Sequence, residues 1–283
     1  MGPDQVNTTQ ADSGRELLAW FGRCAAVRVA FSGGVDSSLV LAAAARALGP
    51  ASVEAVTAVS ESLPSGMLTA ARQLAGALGV SHTELTTREL DNPGYVANGA
   101  DRCYFCKATL IDAVARLGAG PLVVTGTNAD DVRAGWRPGI RAAAERGAGT
   151  PLADTQMTKA AVRALSRDWG LPTADRPASP CLSSRVAYGV QITPARLARI
   201  DAAEQAVRSL LGQAGLAVHD LRVRDLGQRV RLEVDAPAVA AVRQLDAVNP
   251  AIAAAGFGAA AIEVTPFRSG SLNDALPAGR RFG

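Results

Sequence analysis

The stretch FSGGVDSS, Phe31 to Ser38, sets two adjacent glycines, an acid and three serines between the apolar run Val27, Val29, Ala30 and the Ala-rich stretch Leu39 to Leu48. Adjacent glycines let the backbone turn sharply and let its N–H groups approach a ligand with no Cβ in the way. A helix beginning near Asp36 would add unpaired N–H groups and the positive end of its dipole, while Ser32, Ser37 and Ser38 offer hydroxyl donors. Together these describe an anion cradle sized for phosphate. A tight turn followed by an Asp or Ser helix cap explains the same residues without a ligand. The stretch is not a Walker A loop, since GxxxxGK[ST] is absent and no lysine follows; the third glycine of the dinucleotide fingerprint is missing too.

Cysteine is the second source of chemistry. Cys103 and Cys106 form a CxxC in DRCYFCK, at the start of an expected helix. Cys181 lies in the irregular passage SPCLSSR, and Cys24 falls in the apolar helix LLAWFGRC. CxxC is half of a structural zinc site, but such a site takes four Cys or His ligands, and neither His82 nor His219 belongs to a ligand-spaced pair. With Cys24 read as core, three thiols remain. They suit a 4Fe-4S cluster with one iron left open, or a CxxC redox pair beside an independent nucleophile. Cys181 has its own case as a nucleophile. An unperturbed thiol has a pKa of about 8.5, and guanidinium groups nearby would favour the thiolate. Arg185 follows Cys181 closely, and Arg222 and Arg224 alternate onto one face of an expected strand.

These residues must be carried by a scaffold. Val27 to Phe31, Val53 to Val59, a weaker run at His82 to Leu85 and Leu122 to Gly126 read as short buried strands, with helices at Asp36 to Leu48, Gly66 to Leu78 and Lys107 to Leu117. That alternation predicts an α/β fold: an open parallel sheet flanked by helices, with ligands at the carboxyl ends of its strands. The Pro- and Ser-rich passage Leu171 to Arg185 interrupts the pattern. Beyond it come a helix at about Pro194 to Leu211, a hairpin of strands Asp220 to Arg224 and Arg229 to Val234, a helix at Pro237 to Leu245 and a last strand at Ala260 to Thr265. The expected organisation is therefore a nucleotide-type domain over residues 1–190 and a smaller α+β domain over 191–283.

Composition sets outer bounds. The chain has 283 residues, 48% hydrophobic and 19% charged, enough for one large or two modest domains. Its 29 Lys and Arg against 26 Asp and Glu give +3, too mild a charge to call for nucleic acid. The polar N-terminus MGPDQVNTTQADSG and the lack of a long apolar run point to a cytoplasmic protein with no membrane partner. In that compartment cysteines serve as ligands, nucleophiles or buried thiols.

SGGxDS is also the signature of the PP-loop ATP pyrophosphatases, which bind the pyrophosphate portion of ATP and cleave between the α- and β-phosphates. This resemblance implies that Ser32, Gly33, Gly34, Asp36, Ser37 and Ser38 form an ATP site. Over nearly its whole length the chain further resembles the LarE family of ATP-dependent sulfur transferases, which build the nickel-pincer nucleotide cofactor of lactate racemase. The resemblance rests on SGGVDSS, NPGYVANGADRCYFCK, GTNADD followed by RPG at Arg137 to Gly139, PLAD with TKAAVR, PASPCLSSRVAYG, LRVRDLG and FRSGSLN. It implies adenylylation of a carboxylate of pyridinium-3,5-biscarboxylic acid mononucleotide with ATP and magnesium, then sulfur delivery to give the thiocarboxylate. In one branch of the family the cysteine matching Cys181 gives up its own sulfur and ends as dehydroalanine. In a three-cysteine branch, implied here by Cys103, Cys106 and Cys181, a 4Fe-4S cluster carries the sulfur. A homo-oligomer such as a hexamer is implied as well.

Charge suggests the remaining roles. A dicarboxylate nucleotide needs cations, and arginine forks suit carboxylate and phosphate. Arg222 and Arg224 are assigned to the substrate, with Ser184 and Arg185 lining the same pocket. Asn128 and Asp131 fall where ATP or its metal would sit, or else form an Asx turn and helix cap. Glu204 and Glu233 are weaker metal candidates, surface solvation being their default. A PP-loop tRNA thiolase is the alternative enzyme; it would need a face or extra domain for a large polyanion.

Overall fold

A computed structural model describes residues 3–135, 137–178 and 180–276, with side chains from residue 12 onward. The described residues fall into two compact units. The first is drawn from Met1–Ser60, Gly66–Glu89 and Cys103–Ala178, and the second from Glu61–Ser65, Leu90–Arg102 and Ser179–Gly283.

In the first unit, Val-rich runs form β1 (Val27–Ala30), β2 (Val53–Val59) and β4 (Leu122–Val124), and the more polar SHTELT forms β3 (Ser81–Thr86). All neighbours are parallel, in the order β3-β2-β1-β4, with Val27 opposite both Val53 and Leu122. The open parallel sheet is as expected. Its order has a functional consequence: the chain leaves β1 toward β2 on one side and returns to β4 on the other. In such sheets the crevice for a ligand opens between those two strands, beyond their carboxyl ends.

Three helices frame the sheet: α1 (Pro3–Phe21), α2 (Val35–Leu48) and α3 (Met67–Ala77). α2 packs against α1, against β1 and β2 and against the helix Lys159–Asp168, so almost every residue from Val35 to Ala45 is buried. Small side chains at Ala42, Ala43 and Ala44 let those neighbours approach closely. Leu17, Phe21, Val29, Leu39 and Leu165 fill the core around it. The helix expected at Lys107 starts earlier, at Arg102, and runs to Ala115, so Cys103 and Cys106 both lie in its first turns.

His82 ties β3 to the end of β1. Thr57 Oγ1 donates to the carbonyl of Phe31 at 2.7 Å, which uses the hydroxyl hydrogen, so the contact at 2.8 Å has His82 Nε2–H donating to Thr57 Oγ1. Burial pushes the His82 pKa below 6.5; the charge of Glu84 opposes this and that of Arg72 adds to it. The folded chain thus binds fewer protons at His82 than the unfolded one, and acidification through this range costs stability. The melting midpoint of the wild type is expected to fall between about pH 7 and pH 5, and that of His82→Gln to fall less. Equal slopes would remove His82 from the acid response.

The second unit holds β5 (Leu221–Asp225) and β6 (Arg229–Val234), an antiparallel pair, with β7 (Ala261–Pro266) parallel to β6. Gly227, at φ +90°, turns the hairpin in a region that L side chains rarely adopt. The helix Pro194–Gln213 packs against β5, every residue of which is buried. No helix among the described residues is long and apolar enough to cross a membrane.

Candidate functional site

The SGG loop sits at the crevice that the strand order predicts. Phe31 N–H still donates to Val56 O at 2.8 Å; the chain then turns through Gly33, at φ +71°, and enters α2 with Gly34 as the N-cap and no side chain capping the first turn. The N–H groups of that turn are therefore available to an anion. Ser37 staples the loop to itself: its hydroxyl donates to Gly34 O at 3.2 Å and accepts from Ser32 N–H at 3.3 Å. Ser38 is fully buried, and its Oγ has no partner among the described residues.

Asp36 gathers the surrounding segments. Its Oδ1 accepts from Asn128 Nδ2 at 3.2 Å, and its Oδ2 from Lys159 Nζ at 2.5 Å. Asn128 is at the same time the N-cap of the helix Ala129–Arg133. Its Oδ1 accepts from Asp131 N–H, and Asp131 Oδ2 accepts from Asn128 N–H, a reciprocal capping box. Asp131 also faces Arg137 at 3.6 Å. The structural alternative for Asn128 and Asp131 is thus realised, and Asn128 reaches Asp36 as well. Arg176 NH1 donates to the carbonyl of Gly33 at 3.1 Å, and Arg163 clamps the turn that carries it through Ala174 O and Arg176 O. Gly126 follows β4 so closely that a Cβ there would stand 2.8 Å from Ser37 N, so only glycine admits this approach.

The second unit is built around the turn that bears Cys181. Cys181 precedes the short 3-10 turn Leu182–Arg185, and arginines hold three of the carbonyls there. Arg185 donates to Cys181 O at 3.0 Å, Arg102 to Ser183 O at 2.9 Å and Arg224 to Ser184 O at 3.1 Å. Ser184 Oγ donates to Cys181 O at 2.7 Å, and Tyr95 OH bonds Ser183 Oγ. Arg185 is 1% exposed and paired through two nitrogens with Glu204, which also accepts from Val223 N–H. Arg224 is paired in the same way with Glu233, which also accepts from Ser271 Oγ. Glu204 and Glu233 are thus buried partners of arginine, which corrects the expectation that water solvates them. Arg222 stands 3.6 Å from Asp220 and over the Phe267 ring. Burial and the neighbouring Arg185 charge push its pKa down to about 10.

Comparison with known proteins bears on the fold and the family. A family model described as asparagine synthase matches residues 25–97, the span that begins at β1 and carries the SGG loop. An uncharacterized protein of Synechocystis sp. is 39% identical over 266 residues, covering 92% of this chain and 96% of that protein. The pyridinium-3,5-bisthiocarboxylic acid mononucleotide synthase of Lactiplantibacillus plantarum is 34% identical over 255 residues, covering 88% of this chain and 90% of that enzyme. The chain belongs to the LarE family. It is an ATP-dependent sulfur transferase with a PP-loop nucleotide domain.

For a LarE protein the thiols are the distinctive donors. Cys24, Cys103, Cys106 and Cys181 are all half-buried and outside any disulfide, and Cys24 packs against the core as expected. Cys103 and Cys106, three residues apart on one helix, face the same side. Tyr104 between them donates to Glu145 Oε2 at 2.6 Å and lies under Arg141, which fixes the start of this helix. Thiolates are the donors that an iron-sulfur cluster takes, so the donor chemistry fits, although no group of three His, Cys, Asp or Glu poised for a metal occurs among the described residues. Sequence reasoning missed Lys159, Arg176, Tyr95 and Arg102. All lie within or beside segments that carry the family resemblance, but nothing in their local pattern names their partners.

Proposed function

We propose that this chain adenylylates a carboxylate of pyridinium-3,5-biscarboxylic acid mononucleotide and converts it to the thiocarboxylate. The observation that carries the reading is the turn of Cys181: a free thiol whose backbone is held by arginines, in a chain similar to a synthase of the bisthiocarboxylic product. In the first step a substrate carboxylate oxygen attacks the α-phosphorus of ATP. The bond to the bridging oxygen breaks, and pyrophosphate leaves with the electron pair. Ser32, Gly33, Gly34, Asp36, Ser37 and Ser38 surround the nucleotide phosphates, with Asn128 and Asp131 at the rim. Asp36 supplies oxygen donors of the kind that magnesium takes. In the second unit, Ser184 and Arg222 meet the anionic groups of the substrate, as a guanidinium suits phosphate and carboxylate, while Arg185 and Arg224, their forks held by Glu204 and Glu233, fix the turn and strand that line the same pocket.

Cys103, Cys106 and Cys181 are the ligands of a 4Fe-4S cluster in this proposal, and that cluster, when bound, supplies the sulfur. The alternative uses Cys181 itself: its sulfur displaces AMP from the acyl adenylate, and loss of the Cα proton then breaks the Cβ–S bond and leaves dehydroalanine. Iron and acid-labile sulfide are to be measured per chain on anaerobically purified wild type and Cys103→Ala. About four irons and at least four sulfides, lost in the variant, are expected. An iron-free protein whose mass falls by one hydrogen sulfide after a single turnover would overturn the cluster in favour of sacrifice. Oligomeric assembly belongs to the same proposal and is read by light scattering, with an oligomer such as a hexamer expected.

A further inference from the structure

The SGG loop has no lysine of its own, yet cleavage between phosphates places developing negative charge on the leaving pyrophosphate; the loop's N–H groups and hydroxyls oppose it only with partial charges, and the Asp36 carboxylate adds to it. Across the fold, 123 residues downstream, Lys159 brings an ammonium to this loop. Its placement is over-determined. Thr158 caps the helix Lys159–Asp168 by accepting from Ala161 N–H, and Lys159 N–H itself donates to Asp130 Oδ2 at 2.7 Å, which locks the backbone beside the GTNADD segment. From that anchor Nζ reaches Asp36 Oδ2 at 2.5 Å, and the side chain is 36% exposed, so the ammonium meets the carboxylate at a surface open to a ligand. A partly exposed ion pair of this kind contributes about 0–1 kcal/mol, which makes it a weak structural device for so much positioning.

We propose that Lys159 is a catalytic residue: its ammonium rests on Asp36 when the loop is empty and passes to the phosphates of bound ATP, where it stabilises the departing pyrophosphate. The inference rests on the ATP-site reading of the SGG loop. The step needs no proton from lysine, because a carboxylate enters, pyrophosphate leaves as an anion, and the ammonium only donates hydrogen bonds to phosphate oxygens. Other cations near the loop are already spoken for: Arg176 holds the Gly33 carbonyl and Arg163 the turn behind it.

Three proteins separate this role from simple neutralisation of Asp36: wild type, Lys159→Gln and Lys159→Arg. Melting midpoints with and without ATP, and the kcat and KM of substrate-dependent pyrophosphate release, are read for each. Lys159→Gln is expected to melt near the wild type without nucleotide, to lose most of the ATP-induced shift, and to fall roughly 10²- to 10³-fold in kcat. Lys159→Arg should recover part of that loss, and added ethylammonium should rescue Lys159→Gln in proportion to its concentration. Wild-type kcat in Lys159→Gln, or a loss that neither arginine nor ethylammonium relieves, overturns the role of Lys159 while leaving the ATP site standing. If the wild type itself neither shifts with ATP nor releases pyrophosphate, the underlying ATP-site reading fails instead.

Discussion

Cys181→Ala is expected to abolish thiocarboxylate formation, a fall of about 10⁴-fold or more on the scale of removing an essential nucleophile, while adenylylation continues. The structure explains why the two steps should separate. What the Cys181 residue gives its turn is a backbone carbonyl, accepting from Ser184 and Arg185, and alanine supplies the same carbonyl. The paired Arg185–Glu204 and Arg224–Glu233 groups are untouched, so the framework that holds this turn survives. The Asp36 network lies wholly within the first unit. Mass spectrometry of the nucleotide product, together with pyrophosphate release under single-turnover conditions, tests both halves. Sulfur in the product of the variant would show that Cys181 is neither donor nor essential ligand. Loss of pyrophosphate release as well would show that it supports activation.

The legible parts of this molecule are those whose cause is local. β1 and β2 are Val-rich and mostly buried, and the SGG loop announces itself because the left-handed turn at Gly33 calls for glycine. β3, with the sequence SHTELT, is faint because it is a partly exposed edge strand, and its identity depends on pairing with β2. The CxxC helix reads as starting late because cysteines and aromatics at its start have modest helix propensity; Tyr104 on Glu145 and under Arg141, from a segment some 40 residues on, fixes that start. Arg222 and Arg224 do share a face of β5, but burial of the whole strand turns both into interior cations, each with an acid nearby. Glu204 and Glu233 looked like surface residues for the same reason. A buried carboxylate is tolerable only when paired, and the pairing arginines come from the Cys181 turn and from β5, which no helical or strand period reveals. Lys159 is the clearest case, since its meaning resides in Asp36.

Asp36→Ala is expected to lower kcat/KM for pyrophosphate release by roughly 10²- to 10³-fold, the scale of losing a group that organises charge in an active site. At this carboxylate the α2 terminus, the Asn128 loop after β4 and the Lys159 helix meet through side chains. Alanine would leave the Asn128 amide and the Lys159 ammonium without their partner and would remove the oxygens proposed for magnesium. Magnitudes keep this apart from unfolding. The Asp36–Lys159 pair is partly exposed and is worth about 0–1 kcal/mol. For a chain of this size that moves a melting midpoint by no more than about 4 °C. Asp36→Asn, which keeps an oxygen for Asn128 but loses the charge, should resemble Asp36→Ala if charge governs the step and the wild type if geometry does. A pyrophosphate-release rate unchanged in Asp36→Ala would detach the SGG loop from ATP and leave its three serines and two glycines as a turn and a cap.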